Sequence, residues 1–485
     1  MVSRENVAAI KIVGVGAGGA SFALSLWVLF SFDTANPDMQ FVQMFHWVPA
    51  LHINYLLGVD GISLWMVMLT AFLGLIAIMF SFTQKEGLRN FVALMLALEG
   101  GTLGVFLALD TILFYVFWEL MLVPTYFLIG IWGEGRRVYA TMKFVIYTLV
   151  GSLLMLVAIL SLTMVHYGAT HEVTFDLRVL TLTHIDPSMQ TWMFLFFFLA
   201  FAIKVPVFPL HSWLPHTYAA CPIPTLILLT GAMSKTGAYG FLRFCLPLFP
   251  EAVESFAMVI GLMAAAGMVY GAWIAIAQKD LKALVAYASI SHLGFIVIGI
   301  FANNGTGIEG SLLQMVNHGI IASALFLIVA FIEVRMETRN LDELRGLSKA
   351  MPVLYGSFML IMLAALGLPG LNGFVGEFLI LMGVWTSSMF AGLSGILVLM
   401  GGLSIVFASI YMLYMFQGSM QGKSDNQGLT DIDRGEFKLL LPACLLIIFI
   451  GLYPKPFIDR VTPSVDALLH LEKTVNLHTE ESDLH

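Results

Sequence analysis

Apolar residues run along this chain in long blocks separated by short polar stretches. A membrane-spanning helix needs about 20 mostly apolar residues. Blocks of that order fall at 8–31, 61–82, 91–109, 111–131, 141–166, 190–220, 223–246, 253–277, 283–302, 309–333, 352–388, 394–418 and 437–455. They predict thirteen spans. Blocks 190–220 and 352–388 are too long for one straight helix and are cut by proline and glycine, so each predicts a broken helix. The first block is too long for the apolar core of a signal peptide, and no small-residue cleavage site follows it, so it predicts a retained span.

The polar stretches orient the spans. With the N-terminus and Arg4 inside, the inside loops carry Lys85 and Arg89, then Arg136, Arg137 and Lys143, then Lys279 and Lys282. They continue with Arg335, Arg339, Arg345 and Lys349, and with Lys423, Arg434 and Lys438. The outside loops 32–60, 167–189, 247–252, 303–308 and 389–393 carry Arg178 alone. Such a bias follows the positive-inside rule, and adding or dropping a span mid-chain would destroy it. It predicts an N-terminus in the cytoplasm and a C-terminus on the periplasmic side, with the polar tail 456–485 lying along the outer surface.

Composition narrows the function. Of 485 residues, 59% are hydrophobic and 11% charged, and the mean hydropathy is +0.90. Soluble domains carry about 25% charged residues. A soluble enzyme, a disordered hub and a disulfide-stapled secreted domain are excluded. The net charge of −8 and the lack of a basic stripe argue against nucleic acid as a partner. Cys221, Cys245 and Cys444 lie far apart, with no metal-ligand or disulfide spacing.

Ionisable residues inside apolar blocks are then the candidates for chemistry, because a charge at the bilayer centre costs roughly 2.5–3.5 kcal/mol on insertion scales. Glu119 lies in TILFYVFWELMLVPTYFLIG, Lys204 in FAIKVPVFPLHSWLPHTYAACP and Lys235 in LILLTGAMSKTGAYGFLRF. His292 lies in LVAYASISHLGFIVIGI, His318 beside Gln314 and Asn317, and Glu377 in the broken block LGLPGLNGFVGEFLILMG. Glu119 reads as a carboxylate partnered by an intramembrane lysine, or as a neutral acid bonded to the next helix. Lys204 reads as a proton carrier beside a break whose freed carbonyls need partners, with His211 and His216 following, or as a lysine that itself satisfies those carbonyls. Lys235, among Gly231, Gly237 and Gly240, reads as a lysine with close helix packing and room for water, able to lose and regain a proton, or as one end of a static salt bridge. His292 and His318 carry protons in either direction or bond a core carbonyl; a haem held by two histidines finds no recurring pair on facing spans. Glu99 is equally an extra proton-path group or a satisfied core acid.

Two broken helices, each with an ionisable residue at its break, are what an inverted repeat leaves in a transporter sequence. Five spans per repeat is an odd number, so the second repeat is turned over in the membrane. The expected organisation is N-terminal spans 1–90, a first repeat 91–246, a second repeat 253–418, and a final span and tail 419–485. The fold expected is an all-α polytopic membrane protein.

Six segments together resemble the antiporter-like membrane subunits of the proton-pumping NADH-quinone oxidoreductase, respiratory complex I. They are FYVFWELMLVPTYFLIGIWG, FAIKVPVFPLHSWLP, KTGAYGFLRFCLPLFP, YGAWIAIAQKDLKALVAYASISHLGF, QMVNHG and LPGLNGFVGEFLILMG. The resemblance runs from about residue 57 to 418. It implies a chain of ionisable groups along the midplane: Glu119 as the glutamate of the first half-channel, Lys204 as the lysine of the first broken helix and Lys235 as the linking lysine. It matches His292 and His318 to the central histidines and Glu377 to the acid on the second broken helix. It implies proton translocation driven by quinone reduction elsewhere, in a bacterial inner membrane, beside other membrane-arm subunits that include two further antiporter-like chains. It implies no cofactor in this chain, with NADH, FMN, iron–sulfur clusters and quinone held by other subunits.

The sequence departs from the family pattern twice. Relatives usually have fourteen spans, and no block here matches the first; the readings are a shortened start or a true start lying upstream. Where many relatives follow WLP with aspartate, this chain has His216, which alters the charge at the inner mouth. Rival readings are a cation/proton antiporter subunit, a membrane hydrogenase or photosynthetic-complex subunit, and a structural spacer with no proton path. Glu377 stands where antiporter relatives more often carry lysine, which favours the complex I branch.

Overall fold

The computed structural model describes residues 6–423 and 428–482; Arg4 lies outside them. Eleven helices among the described residues are long and apolar enough to cross a membrane. They are α1 (Val7–Ser31), α2 (Gly61–Phe80), α3 (Leu88–Leu107), α4 (Thr111–Trp132), α5 (Arg137–Thr170) and α6 (Pro187–Lys204). After α7 (Leu214–Ala220) and α8 (223–248) come α9 (Pro250–Ile276), α10 (Leu281–Phe301) and α11 (Gly305–Met336). Then follow α12 (Pro352–Ala365), α13 (Asn372–Thr386), α14 (Ser394–Met420), α15 (Arg434–Leu452) and α16 (Lys455–Ser482). Taken with the segmented runs α6–α7, α8 and α12–α13, the long helices occupy the thirteen predicted blocks.

The breaks have local causes. Pro206 and Pro209 cannot donate to the turn before them, so α6 stops at Lys204. The freed carbonyls find protein partners: Val207 N donates to Ala202 O at 2.8 Å and Trp213 Nε1 to Ile203 O at 2.8 Å. The second break is made by Gly367 and Gly370, at φ +75° and +92°, a region glycine enters without a Cβ clash. In α8, turns of π-helix at Leu229–Met233 and Phe241–Cys245 flank the segment Lys235–Gly240. Such bulges often mark functional sites.

Two stretches differ from the sequence expectation. Residues 32–60, read as a loop, contain an antiparallel hairpin of β1 (Gln40–Val48) and β2 (Ile53–Val59). Irregular register near both ends of the pairing blurs the alternation that marks a strand. The polar tail is the helix α16. Its Phe457, Val461 and Val465 are buried, four residues apart on one face, and Phe457 stacks on Trp65 of α2 at 4.0 Å.

The polar loops sort to two ends. At one end Trp132 Nε1 donates to Glu86 O, Glu134 meets Lys282 and Arg339, and Arg335 meets Glu436. At the other, Asp110 accepts from Asn54 N, Asp60 from Arg243, and Ser464 from Gly61 N. The loops expected on one side therefore share one end.

One backbone bridge occurs twice. Before α4, Thr111 N donates to Phe175 O and Leu177 N to Leu109 O, at 2.8 and 2.9 Å. Before α10, Leu281 N donates to Arg339 O and Leu341 N to Lys279 O, at 3.1 and 2.8 Å. In both places an aspartate, Asp110 or Asp280, caps the helix that follows, and the partner strand leaves the next helix, α5 or α11. The two bridges sit at opposite ends of the bundle. A motif that returns upside down is the mark of an inverted duplication.

Candidate functional site

The polar groups meet where α8, α10, α11 and α13 pack together. Lys235 is fully buried; its Nζ lies 2.5 Å from Thr230 O and 2.7 Å from His318 Nδ1. The π-turn just before it exposes the Thr230 carbonyl that takes this bond. His318 Nε2 is buried and has no partner among the described residues. The His292 ring follows, centroid to centroid 5.7 Å away and tilted by 46°. His292 Nδ1 is 3.0 Å from Glu377 Oε1, and its Nε2 is 3.3 Å from the Tyr411 hydroxyl. Gln314 Nε2 donates to the same Glu377 oxygen at 3.3 Å. Among the described residues neither histidine bonds a core carbonyl, and no acid forms a salt bridge with Lys235.

The breaks position these groups. Asn317 donates to Asn372 O, the first residue of α13, at 2.7 Å, and Asn372 Nδ2 returns a bond to Asn317 Oδ1 at 3.1 Å. This clasp fixes α13 against α11 one turn from Glu377. Gly367 adds the clearance: a Cβ there would stand 3.0 Å from Glu377 Oε2.

Glu119 and Lys204 form the other part of the set. Lys204 is buried at the end of α6, its Nζ 5.1 Å from the Trp118 ring centre and 5.6 Å from that of Phe144. Cation–π attraction holds it there. Among the described residues Lys204 forms no ion pair with half-buried Glu119, and it does not satisfy the carbonyls of the break. Lys204 and Lys235 lie on packed helices, since a Cβ on Gly237 would stand 3.1 Å from Lys204 Cβ. The glycines around Lys235 serve this packing and leave little room for water: Gly237 abuts Phe201 O and Gly240 the Phe201 ring.

The structure thus draws Lys235, His318, His292 and Glu377 into one file and leaves Lys204 and Glu119 as a separate, open pair. His211 stacks on Phe208 and meets Tyr270 edge-on, and His216 is exposed on Tyr139; neither joins the file. Sequence reasoning missed Tyr411 and the Thr230 carbonyl. A hydroxyl in the span 394–418 is the only signal the sequence offers for Tyr411, and an uncharged hydroxyl carries no large cost in lipid to flag it. Among the described residues no cluster of His, Cys, Asp and Glu suits a metal.

Comparison with known proteins places this geometry. Residues 108–403 match the family model described as NADH:quinone oxidoreductase/Mrp antiporter. NADH-quinone oxidoreductase subunit M of Pseudomonas aeruginosa is 39% identical over 90% of this chain and 87% of its own length. Subunit M of Escherichia coli is 38% identical over 90% and 88%. A chain of respiratory complex I from Thermus thermophilus superposes with a TM-score of 0.87 at 32% identity, over 95% of both chains. A chain of the Mrp complex from a Dietzia species shares the fold, with a TM-score of 0.82 at 22% identity, over 96% of this chain and 52% of that one. The chain belongs to the NADH:quinone oxidoreductase/Mrp antiporter family, within its NADH-quinone oxidoreductase subunit M branch.

Proposed function

We propose that this chain is a proton-translocating subunit of the membrane arm of NADH-quinone oxidoreductase, carrying protons through Glu119, Lys204, Lys235, His318, His292 and Glu377. The observation that supports it most is the file itself: a buried lysine 2.7 Å from a histidine, and a second histidine 3.0 Å from a buried acid. A static salt bridge would pair Lys235 with an acid. Here it faces a histidine, a group that accepts at one ring nitrogen and releases at the other.

The sequence of steps follows the contacts. The Lys235 ammonium gives a proton from Nζ to His318 Nδ1 and becomes a neutral amine. His318 releases a proton from Nε2 toward His292, across a gap that a ring rotation or one bridging water closes. His292 passes it from Nδ1 to the Glu377 carboxylate. Lys204 then recharges Lys235. Glu119 acts as the gate: beside Lys204 it stabilises the ammonium by Coulomb attraction, and its withdrawal favours handing the proton on.

In this reading the division into repeats at 91–246 and 253–418 separates the open pair from the acid end, and the Lys235–His318 contact joins them. The chain sits in a bacterial inner membrane with its N-terminus in the cytoplasm, beside other membrane-arm subunits that include two antiporter-like chains. NADH, FMN, iron–sulfur clusters and quinone belong to other subunits.

The test is proton pumping by the assembled complex in sealed vesicles, wild type against Glu119→Gln, with NADH-quinone electron transfer recorded in parallel and assembly checked. Collapse of both activities in an intact complex supports the gate. Normal pumping and electron transfer overturn it.

A further inference from the structure

A long cleft with a cavity volume of about 710 Å³ runs along the outer face of the bundle. One wall is α1, through Phe22, Leu26 and Phe30, and the other is α15, through Leu439, Leu446 and Phe449. The floor is α2, with Val316 and Ile320 of α11 beside it. The cleft runs from Lys438, at the end that holds the basic loops, to Arg460 on α16 at the opposite end.

Two features say what fills it. The lining contains no glycine, alanine, serine or threonine and no acid. Helices that pack inside membranes meet through small residues and interhelical hydrogen bonds, so this lining is a poor seat for a partner helix. Branched and aromatic side chains along a narrow trough suit a flexible hydrocarbon chain. The second feature is Arg460. Its Nη1 donates to Pro456 O at 2.8 Å, but its Nε is buried and has no partner among the described residues. A guanidinium carries five donors, of which Pro456 O takes one, and a phosphate oxygen accepts charge-assisted bonds from those that reach the cleft. A guanidinium at the mouth of an apolar trough is the chemistry that recognises an anionic phospholipid.

We propose that this cleft is a specific phospholipid site, with an acyl chain along α2 between α1 and α15 and the headgroup phosphate on Arg460. The floor residues Val316 and Ile320 share the face of α11 turned away from His318, so the lipid lies outside the proton file.

The test uses the intact complex in phosphatidylcholine nanodiscs doped with phosphatidylglycerol carrying a photoactivatable acyl chain, and maps the cross-links by peptide. Cross-links should concentrate in residues 22–30 and 439–449. Arg460→Gln should lower them about tenfold, the factor that loss of one charge-assisted bond gives, and Arg460→Lys should retain most of them. Leu446→Trp, which fills the trough without changing charge, should abolish them, so the decision stands even where Arg460→Gln fails to assemble. Label spread evenly over all lipid-facing helices, unchanged labelling in Arg460→Gln or Leu446→Trp, or wild-type cross-links from the trough to another subunit would each overturn the site.

Discussion

The His292 ring lies between two polar groups, with Nδ1 3.0 Å from Glu377 Oε1 and Nε2 3.3 Å from the Tyr411 hydroxyl. One nitrogen faces an acid that takes a proton and the other a hydroxyl that donates or accepts. The tautomer of His292 is therefore coupled to the charge on Glu377. Glu377→Gln keeps the size and a hydrogen bond but removes the site that accepts a proton. Proton pumping in sealed vesicles should fall about tenfold or more, with coupled electron transfer slowed and the complex still assembled. Full pumping in this variant would remove Glu377 from the path.

Tyr411→Phe separates orientation from transfer. It deletes only the hydroxyl and leaves His292 Nε2 buried and unpaired, a cost of about 1–3 kcal/mol. We expect an assembled complex with reduced pumping and a displaced pH profile of turnover. A uniform loss of activity with an unchanged pH profile would indicate that Tyr411 only packs.

The packing of the broken helix gives a steric prediction. A Cβ on Gly237 would stand 2.6 Å from Phe201 O and 2.7 Å from Val205 Cγ2. The backbone of α6 would have to retreat from α8, carrying Lys204 with it. Gly237→Ala should cost about 1–3 kcal/mol, read as a lower melting temperature and less assembled complex, with pumping impaired in what remains.

Much of this was legible in the sequence because lipid makes every charge conspicuous. The six ionisable candidates stand out by their cost in lipid, and proline and glycine mark both breaks in the sequence. What escaped was carried by geometry among ordinary residues. Tyr411 has no charge to flag it, and the Thr230 carbonyl is freed by a π-turn that no residue pattern announces. Lys204 and Glu119 are legible because both are costly in lipid; the Trp118 ring packed over the lysine is not. The inverted repeat was visible only as two matching breaks; the twin bridges at Asp110 and Asp280 depend on backbone pairing between residues distant in sequence.

Glu134, outside the spans, gives a pH prediction. Burial opposes its charged form, but Lys282 and Arg339 outweigh it and hold the carboxyl below its ordinary value of 4.5. A group whose folded value is lowered contributes stability that is fully present above the unfolded value. That stability is lost as pH falls through the folded one. The melting temperature should therefore drop on acidification below about pH 4.5. Glu134→Gln should start lower at neutral pH and show a shallower fall, because glutamine has no proton to gain. Parallel melting curves for the two proteins would exclude this cluster as an acid-sensitive contact.

Glu99 of α3 is a buried acid outside the file. A Cβ on Gly74 of α2 would stand 2.5 Å from its carboxyl carbon, so glycine makes room for it. Ser21 of α1 is the polar side chain beside it, yet neither oxygen has a hydrogen bond of good geometry. Each unmade buried bond costs about 1–3 kcal/mol, and an apolar group of the same shape removes that cost. Methionine matches the length and bends to fill irregular space. Glu99→Met should therefore raise the melting temperature of the assembled complex and leave pumping unchanged, since nothing in the geometry connects Glu99 to Lys235. A stabilised complex whose pumping falls while electron transfer holds would instead make Glu99 a second proton route through the seam of α1, α2 and α3.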